Sequence, residues 1–465
     1  MTEEGEATGW GPERSAELYR IAQWGKGYFD VSSQGTVLVR PRKDGAGQAI
    51  DLLEVVEALR ERELSPPVLL RFPGITRHRM EEIKIAFARA IQEVEYGGTY
   101  TCVYPIKVNQ ARHVCEEVRD IGARLGFGLE VGTKPELLAA LALTDGHDDM
   151  PIVCNGFKDE EYLETVVRAA RLGRRILPVV EQLFELPILM RLIREHDPEL
   201  SIGLRIKLTS QGSGRWSESA GHRGKFGLTA AEAMSAVERL RGADLLDRLT
   251  LLHCHIGSQV SDIRRLKNAV SELAHVYGEL VRLGAPLTTL DLGGGLGVDY
   301  DGTNTPTDNS VNYDIQEYAL DLVYRIAGSC DQAGVAHPDL ITESGRAITA
   351  YSSVLVCEVV GRRVYDPLPD MGAIRSSVQE REDEAPQPLL DLLDAVERIE
   401  TDDPVALYHD SAHAQEEASS LFRLGYISIE DQTAAEAVTG FVWRRVLERA
   451  GWPPPVELEN LADSM

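Results

Sequence analysis

Short apolar runs alternate with longer amphipathic segments between residues 101 and 345. Eight of the runs are almost continuously apolar, as expected of parallel strands that are buried on both faces. These runs are Thr101–Asn109, Gly126–Gly132, Pro151–Gly156, Arg175–Glu181, Ser201–Lys207, Thr250–Gly257, Thr288–Gly295 and Pro338–Gly345. Eight strands alternating with helices over about 245 residues predict an α/β fold, a (β/α)8 TIM-type barrel.

The segments between the runs have the apolar spacing of helices. The apolar residues of Tyr162–Leu172 fall on one helical face, and Gly173 follows as a C-terminal cap. Ser261–Leu283 has the same pattern and is followed by Gly284. These segments are therefore predicted to be helices that cover the barrel.

Apolar alternation outside the barrel region predicts a second, incomplete β-rich domain. Tyr28–Val31 and Thr36–Val39 are strand-like and flank a Ser-Ser-Gln-Gly turn, and Ile348–Val360 is rich in β-branched residues. Residues 362–388 are charged and rich in proline, which predicts a surface excursion or linker.

The chain is predicted to end in a helical segment, with helices at about Pro388–Ile399 and Ile429–Arg449. The resulting domain boundaries are a tail at 1–20, strands of the β domain at 21–66, the barrel at 67–346, a returning strand at 347–362, and a linker with helices at 363–465.

Composition narrows the class of protein. The net charge of -26 argues against non-specific binding to nucleic acid or to anionic membranes. It favours a cationic ligand, although an acidic surface that only faces water is the alternative. The N-terminus has no apolar segment typical of a signal peptide, and no apolar run reaches the roughly 20 residues that span a bilayer. Six cysteines without paired spacing predict reduced thiols in the cytoplasm, with neither disulfides nor a zinc site.

Polar residues interrupt the apolar runs at the predicted strand ends, where barrels place their active sites. Lys107 ends the first strand; burial there would lower its pKa and permit Schiff-base chemistry, whereas a surface lysine is the alternative. His253 and His255 lie on one face of the sixth strand. His255 could stack on an aromatic cofactor, bind a metal, or be a hydrogen-bonded core histidine.

The seventh and eighth strands end in residues suited to an anion and to a ring nitrogen. Gly293, Gly294 and Gly295 could form a phosphate cradle or only a tight turn, and Ser258 could donate to a phosphate. Buried Glu343 needs a partner, either a protonated pyridine nitrogen or an ion pair with Arg346, which could instead bind phosphate. Taken together, an amine, a ring face, a phosphate cradle and a carboxylate indicate pyridoxal 5'-phosphate.

The sequence resembles the biosynthetic arginine decarboxylases of the alanine racemase-like fold class, closely from about Tyr19 to Val360 and loosely to about Arg449. The motifs that carry the resemblance are Tyr104–Gln110, Glu130–Glu136, Cys154–Asp159, Ser210–Trp216, Lys225–Gly227, His255–Gln259, Gly293–Tyr300 and Thr342–Ala347.

The resemblance implies a role for each site residue. Lys107 would hold the cofactor aldehyde, His255 would stack on its ring, and Glu343 would bind the pyridine nitrogen. The phosphate would be held by Ser258, Gly293, Gly294, Gly295 and Arg346. Lys107, His255 and Glu343 would thus be the catalytic residues.

The resemblance also implies the reaction, which is decarboxylation of L-arginine to agmatine and carbon dioxide in putrescine and spermidine biosynthesis. It implies magnesium, without assignable ligands, and a homo-oligomer. His409 and His413 have helical spacing but lie in a charged stretch, so a solvated helix face is the better interpretation.

One departure from the family pattern is expected to matter. Relatives carry a C-terminal Cys-Asp-Ser-Asp-Gly segment that reaches a neighbouring subunit's active site, whereas the last cysteine here is Cys357. The second domain is therefore expected to be incomplete. Three hypotheses follow: a truncated arginine decarboxylase, a decarboxylase of another diamino acid such as ornithine, or a non-catalytic pyridoxal phosphate-binding partner of a full-length homologue.

Overall fold

The structure is a computed structural model that describes residues 11–43, 47–196, 198–209, 224–361, 369–381, 385–451, 454–458 and 461. The chain forms two compact units, Met1–Glu358 and Val359–Met465. The motif Ser210–Trp216 lies outside the described residues. Among the described residues, every helix is too short or too polar to span a bilayer.

The first unit begins with short helices and a small antiparallel sheet in the order β1-β2-β3. In chain order the elements are α1 Pro12–Leu18, α2 Ile21–Gly25, β1 Phe29–Val31, β2 Val37–Val39, β3 Ile50–Asp51, α3 Leu52–Arg60, β4 Val68–Arg71 and α4 Pro73–Glu93. The hydroxyl of Ser32 accepts from the backbone N–H groups of Gln34 and Thr36, which closes the predicted turn between β1 and β2.

Eight parallel strands then close into a barrel, as the sequence predicts. The strands are β5 Tyr100–Pro105, β6 Gly128–Val131, β7 Ile152–Cys154, β8 Ile176–Val180, β9 Ile202–Arg205, β10 Leu249–Gly257, β11 Thr289–Gly294 and β12 Asp339–Glu343. The ring is closed by β12, which pairs with β5 and places Glu343 opposite Val103.

Seven helices follow the first seven strands of the barrel. They are α5 Arg112–Leu125, α6 Lys134–Leu143, α7 Glu160–Arg171, α8 Glu185–His196, α9 Ala230–Gly242, α10 Ile263–Arg282 and α11 Ile315–Ala333. The predicted apolar face of α7 is buried, and Asp159 caps its first turn by accepting from the N–H of Tyr162 at 2.8 Å. These contacts bury a continuous core between helices and strands.

The interior of the barrel is divided into an apolar layer and a polar layer. Val103, Val153, Val179, Leu251 and Ile341 form the apolar layer inside the ring. Because side chains alternate along a strand, the inward position two residues further on falls towards the carboxyl end of each strand. Polar residues occupy most of these next positions, and they form the candidate site.

The chain leaves the barrel through α12 Arg346–Thr349 and then β13 Ser353–Val356, which pairs antiparallel with β4. The predicted strand Ile348–Val360 is therefore too long. Ala347 and Ile348 pack in the barrel core in helical conformation, so tertiary burial outweighs the β-branched preference.

The second unit contains four helices among its described residues, α13 Met371–Gln379, α14 Gln387–Arg398, α15 Pro404–Arg423 and α16 Ile429–Ala450. They share an apolar core that includes Leu392, Leu407 and Val442. Two of the four were not predicted. The expectation of a linker over 362–388 is wrong where α13 forms, and α15 was missed.

The predicted exposure of the two histidines of α15 agrees with the structure. His409 and His413 lie on α15 and are both exposed. The helix was missed because its charged and small residues give a weak apolar period.

Candidate active site

Lys107 lies in a single 3-10 turn, Ile106–Val108, directly after β5. Its Nζ donates to both carboxylate oxygens of Glu130, at 2.8 and 3.1 Å. Burial acts to lower the pKa of Lys107, but the Glu130 and Glu343 carboxylates outweigh it, and the pKa lies above its ordinary value. The expectation of a lowered pKa is wrong for this arrangement because it took no account of Glu130.

Glu130 is fully buried on β6 and is joined to Glu343 by one amide group. The Nδ2 of Asn155 donates to Glu130 Oε1 at 3.1 Å and to Glu343 Oε1 at 2.6 Å. Burial, reinforced by the carboxyl of Asp291, raises the pKa of Glu343 to about 8. Lys107, Glu130, Asn155 and Glu343 thus form a continuous hydrogen-bonded chain across the mouth of the barrel.

His253 and Asp291 form a buried pair beside Glu343. His253 Nδ1 lies 3.0 Å from Asp291 Oδ2 and 3.9 Å from Glu343 Oε1. Burial lowers the pKa of His253 to about 4 and raises the pKa of Asp291 well above its ordinary value. His253 Nε2 and Asp291 Oδ1 have no hydrogen-bond partner among the described residues. His253 is therefore a neutral histidine of the barrel interior.

His255 lies two residues further along β10 and is only half-buried. Burial, followed by the charge of Arg205, lowers the pKa of His255 well below its ordinary value. A neutral imidazole at the mouth of the barrel can offer its face to a flat ring without carrying a charge of its own.

Gly293 and Gly294 adjoin the His255 ring at the end of β11. A Cβ added to Gly293 would lie 2.8 Å from Glu343 Oε2 and 2.9 Å from His255 Cδ2. A Cβ on Gly294, whose φ is +73°, would lie 2.2 Å from the carbonyl oxygen of Gly257. A side chain at either position would therefore displace its neighbours, and at Gly294 the positive φ favours glycine as well.

Gly295 completes the glycine run with a φ of +89°, and its N–H donates to the carbonyl of Gly257 at 2.9 Å. Ser258 follows Gly257 and accepts hydrogen bonds from Arg346 at 3.2 and 3.4 Å. Arg346 also donates to the hydroxyl of Tyr300 at 3.0 Å. The structure therefore brings Ser258, Arg346 and the end of the glycine run together.

The proposed ion pair between Glu343 and Arg346 is not formed among the described residues. The Arg346 guanidinium contacts Ser258 and Tyr300, whereas Glu343 contacts Asn155. The guanidinium and the glutamate are thus held by separate partners, and each remains suited to a different part of a ligand.

Sequence reasoning missed four polar residues of the site, namely Glu130, Asn155, Glu181 and Arg205. Glu181 Oε1 accepts from Arg205 at 2.5 Å, and the Arg205 guanidinium lies 5.8 Å from the centre of the Phe226 ring. All four stand at strand ends, and two lie in motifs that carry the family resemblance. Their position at the ends of predicted strands was the available signal.

Only one group of three potential metal ligands occurs in the described part of the chain, at His253, Asp291 and Glu343. Their candidate ligand atoms lie within 4.8 Å of one another, and all three side chains are buried. The group belongs to the polar interior of the barrel already described.

Comparisons with known proteins agree on one family. Residues 80–350 match the family described as pyridoxal-dependent decarboxylase, pyridoxal binding domain. Residues 382–453, in the second unit, match the family described as arginine decarboxylase helical bundle domain.

Curated relatives and a solved structure are similar over nearly the whole chain. The biosynthetic arginine decarboxylase of Rhodopirellula baltica is 44% identical over 95% of this chain and 69% of its own length. That of Trichlorobacter lovleyi is 42% identical over 97% of this chain and 70% of its own length. The crystal structure of the Campylobacter jejuni biosynthetic arginine decarboxylase is 32% identical with a TM-score of 0.67, covering 92% of this chain and 69% of that one.

Proposed function

Since this chain belongs to the biosynthetic arginine decarboxylase family, we propose that it converts L-arginine to agmatine and carbon dioxide with pyridoxal phosphate as cofactor. The observation that carries the proposal is the chain of Lys107, Glu130, Asn155 and Glu343 beside a glycine-lined end of β11. Agmatine formation would place the reaction in putrescine and spermidine biosynthesis.

The residues of the site fit the cofactor. Glycine at 293 and 294 leaves room beside the imidazole of His255 and the carboxyl of Glu343, room that a Cβ would fill. Arg346 and Ser258 offer a guanidinium and a hydroxyl suited to a phosphate. Lys107 would hold the cofactor through its amine, and His255 would lie against the ring.

Bound pyridoxal phosphate supplies an electron sink for the electron pair that is left at the α-carbon when carbon dioxide departs. Glu343 would hold a proton at the ring nitrogen, because a carboxyl in this buried position is stabilised by a cationic partner. Glu130 would take up or return the proton of the Lys107 amine, since its carboxylate already accepts from Nζ at 2.8 Å.

Gly293, Gly294 and Gly295 would hold the phosphate together with Ser258 and Arg346. Gly295 would contribute through close approach of its backbone, because its N–H already donates to the carbonyl of Gly257. The negative charge of the phosphate would be balanced mainly by the Arg346 guanidinium.

Magnesium, which the resemblance implies, does not fit the ligand group found among the residues that the structure describes. The ion prefers six oxygen ligands, several of them water, in a near-octahedral site. The three-residue group in the described part of the chain includes an imidazole and is buried inside the barrel. We assign no magnesium ligand and no step to the metal.

Release of carbon dioxide from carboxyl-labelled L-arginine, in the presence of pyridoxal phosphate, tests the proposed function. We expect release by the wild type and by K267A, and none by K107A. Lys267 is the matched control because it pairs with Asp321 at 2.9 Å on α10 and α11. Equal release by K107A, or faster release from L-ornithine than from L-arginine, would contradict the proposal.

A further inference from the structure

Asn155 has an unusual position between two buried carboxyl groups. It follows β7, is 5% exposed, and gives both hydrogens of one amide nitrogen to different residues. The acceptors are Glu130 Oε1 at 3.1 Å and Glu343 Oε1 at 2.6 Å. One of these residues contacts Lys107, and the other lies against the glycine run.

The orientation of the amide is fixed by charge. If the Asn155 amide were turned over, its Oδ1 would face the Glu130 carboxylate that pairs with Lys107, and two acceptors would meet without a donor. With the amide as it stands, a neutral group separates two acidic side chains and satisfies both. A charged donor such as lysine would instead form an ion pair with one of them.

The backbone around Asn155 is held on three sides. Its N–H donates to the carbonyl of Val131 at 2.8 Å, and its own carbonyl accepts from the Tyr162 hydroxyl at 3.3 Å. The next residue, Gly156, approaches so closely that an added Cβ would lie 1.9 Å from the Gly132 carbonyl oxygen. Buried Lys158 closes the turn by donating to the Gly156 carbonyl at 2.7 Å.

We propose that Asn155 is a positioning residue that fixes Glu130, at the lysine side of the site, and Glu343, at the ring-nitrogen side, at a set separation. The inference rests on the proposed function for its use of the cofactor, and it goes further in assigning a role to a residue that does not itself touch the reacting atoms. The amide of Asn155 would then fix the distance between Lys107 and the ring nitrogen.

Two substitutions separate hydrogen bonding from packing. N155D keeps the size of the side chain but replaces the donor with a third carboxyl group, which repels the Glu130 carboxylate. N155A removes the donor and adds no charge. If the amide positions both carboxylates, we expect N155D to bind pyridoxal phosphate more weakly than N155A does, and both to bind it more weakly than the wild type.

The dissociation constant of the cofactor, measured without substrate from the absorbance of the lysine-bound form, is the readout. We expect N155D to raise it at least about tenfold, which corresponds to losing one hydrogen bond to a charged group. N312D is the matched control, because Asn312 also donates to a carboxylate, that of Asp262 at 3.4 Å, which caps α10 and pairs with Arg264. The control should bind like the wild type.

Affinity of N155D within about twofold of the wild type, or N155A weaker than N155D, would overturn the proposal. Failure to act on arginine would refute the proposed function and leave this comparison intact, because the comparison is made before any substrate is added. If the wild type binds no cofactor, the proposal is tested by comparing crystal structures of the wild type and N155D. Unchanged Glu130 and Glu343 carboxyl positions in N155D would overturn the proposal, and displacement by more than about 0.5 Å would support it.

Discussion

At the scale of single residues, the charge on Lys107 is governed by a neighbour rather than by burial. A lysine ammonium that is half exposed and bonded to a buried carboxylate is held protonated. Chemistry at the amine therefore requires that this proton be removed first, and Glu130 is the carboxylate in contact with it.

Replacing Glu130 with glutamine should lower the pKa of Lys107, because burial then acts with one fewer opposing charge. The pH dependence of Lys107 acetylation by acetic anhydride in the cofactor-free protein, followed by mass spectrometry, measures the change. E116Q is the control, since Glu116 pairs with Arg112 on the surface. An unchanged midpoint in E130Q would show that Glu130 does not set the charge of the lysine.

Glu343 should make the cofactor-free protein less stable as the pH rises. The pKa of Glu343 is raised by burial from an ordinary value near 4.5 to about 8, so the folded state holds the proton more tightly than the unfolded state. Its stabilising contribution is fully present below about pH 4.5 and is lost as the pH rises through about 8. E343Q should therefore gain thermal stability relative to the wild type between these values. A difference in melting temperature that stays constant with pH would contradict this.

The sequence allowed the residues at the ends of strands one, six, seven and eight to be predicted, because each is chemically unusual within an apolar run. Asn155 could not be predicted in the same way. Its role depends on its distance from two carboxyl oxygens, one on β6 and one on β12. The spacing of these residues along the chain carries no information about those distances. The direction in which the pKa of Lys107 is shifted was predicted wrongly for the same reason, because it depends on Glu130 from a different strand.

At the scale of elements, the end of β11 is shaped by the absence of side chains. G293A should weaken binding of pyridoxal phosphate by at least about tenfold, because the new Cβ would meet both Glu343 and His255 at less than 3 Å. G328A is the control. Gly328 lies within α11 with nothing within 4 Å of an added Cβ, and alanine there should stabilise the helix by up to about 1 kcal/mol. Equal cofactor affinity of G293A and G328A would argue against a cradle.

Elements with a strong apolar period were predicted well, and those without one were not. The eight barrel strands were predicted from almost continuously apolar runs, and α7 was predicted from apolar residues that recur on one helical face. By contrast, α15 is rich in charged and small residues, and α13 is a helix of only nine residues whose apolar side chains pack into the core of the second unit. Tertiary packing of this kind leaves little trace in a local pattern.

At the scale of the whole molecule, every residue assigned to the site lies in the first of the two units. A chain restricted to residues 1–358 should therefore bind pyridoxal phosphate with an affinity close to that of the full chain. The second unit has an apolar core of its own, so residues 359–465 should show helical circular dichroism and cooperative unfolding. Loss of cofactor binding by the shorter chain, despite native circular dichroism, would show that the second unit contributes to the site.

The pairing of β12 with β5 has a consequence for how the protein is made. Lys107 leaves the ribosome more than two hundred residues before Glu343, which at about 5–20 residues per second is a delay of roughly ten to fifty seconds. During that interval the nascent barrel is an open ring whose first strand has no neighbour on one edge. In the proposed binding mode, Glu343 and Arg346 are among the last site residues to be made, so the cofactor would bind only after the ring has closed.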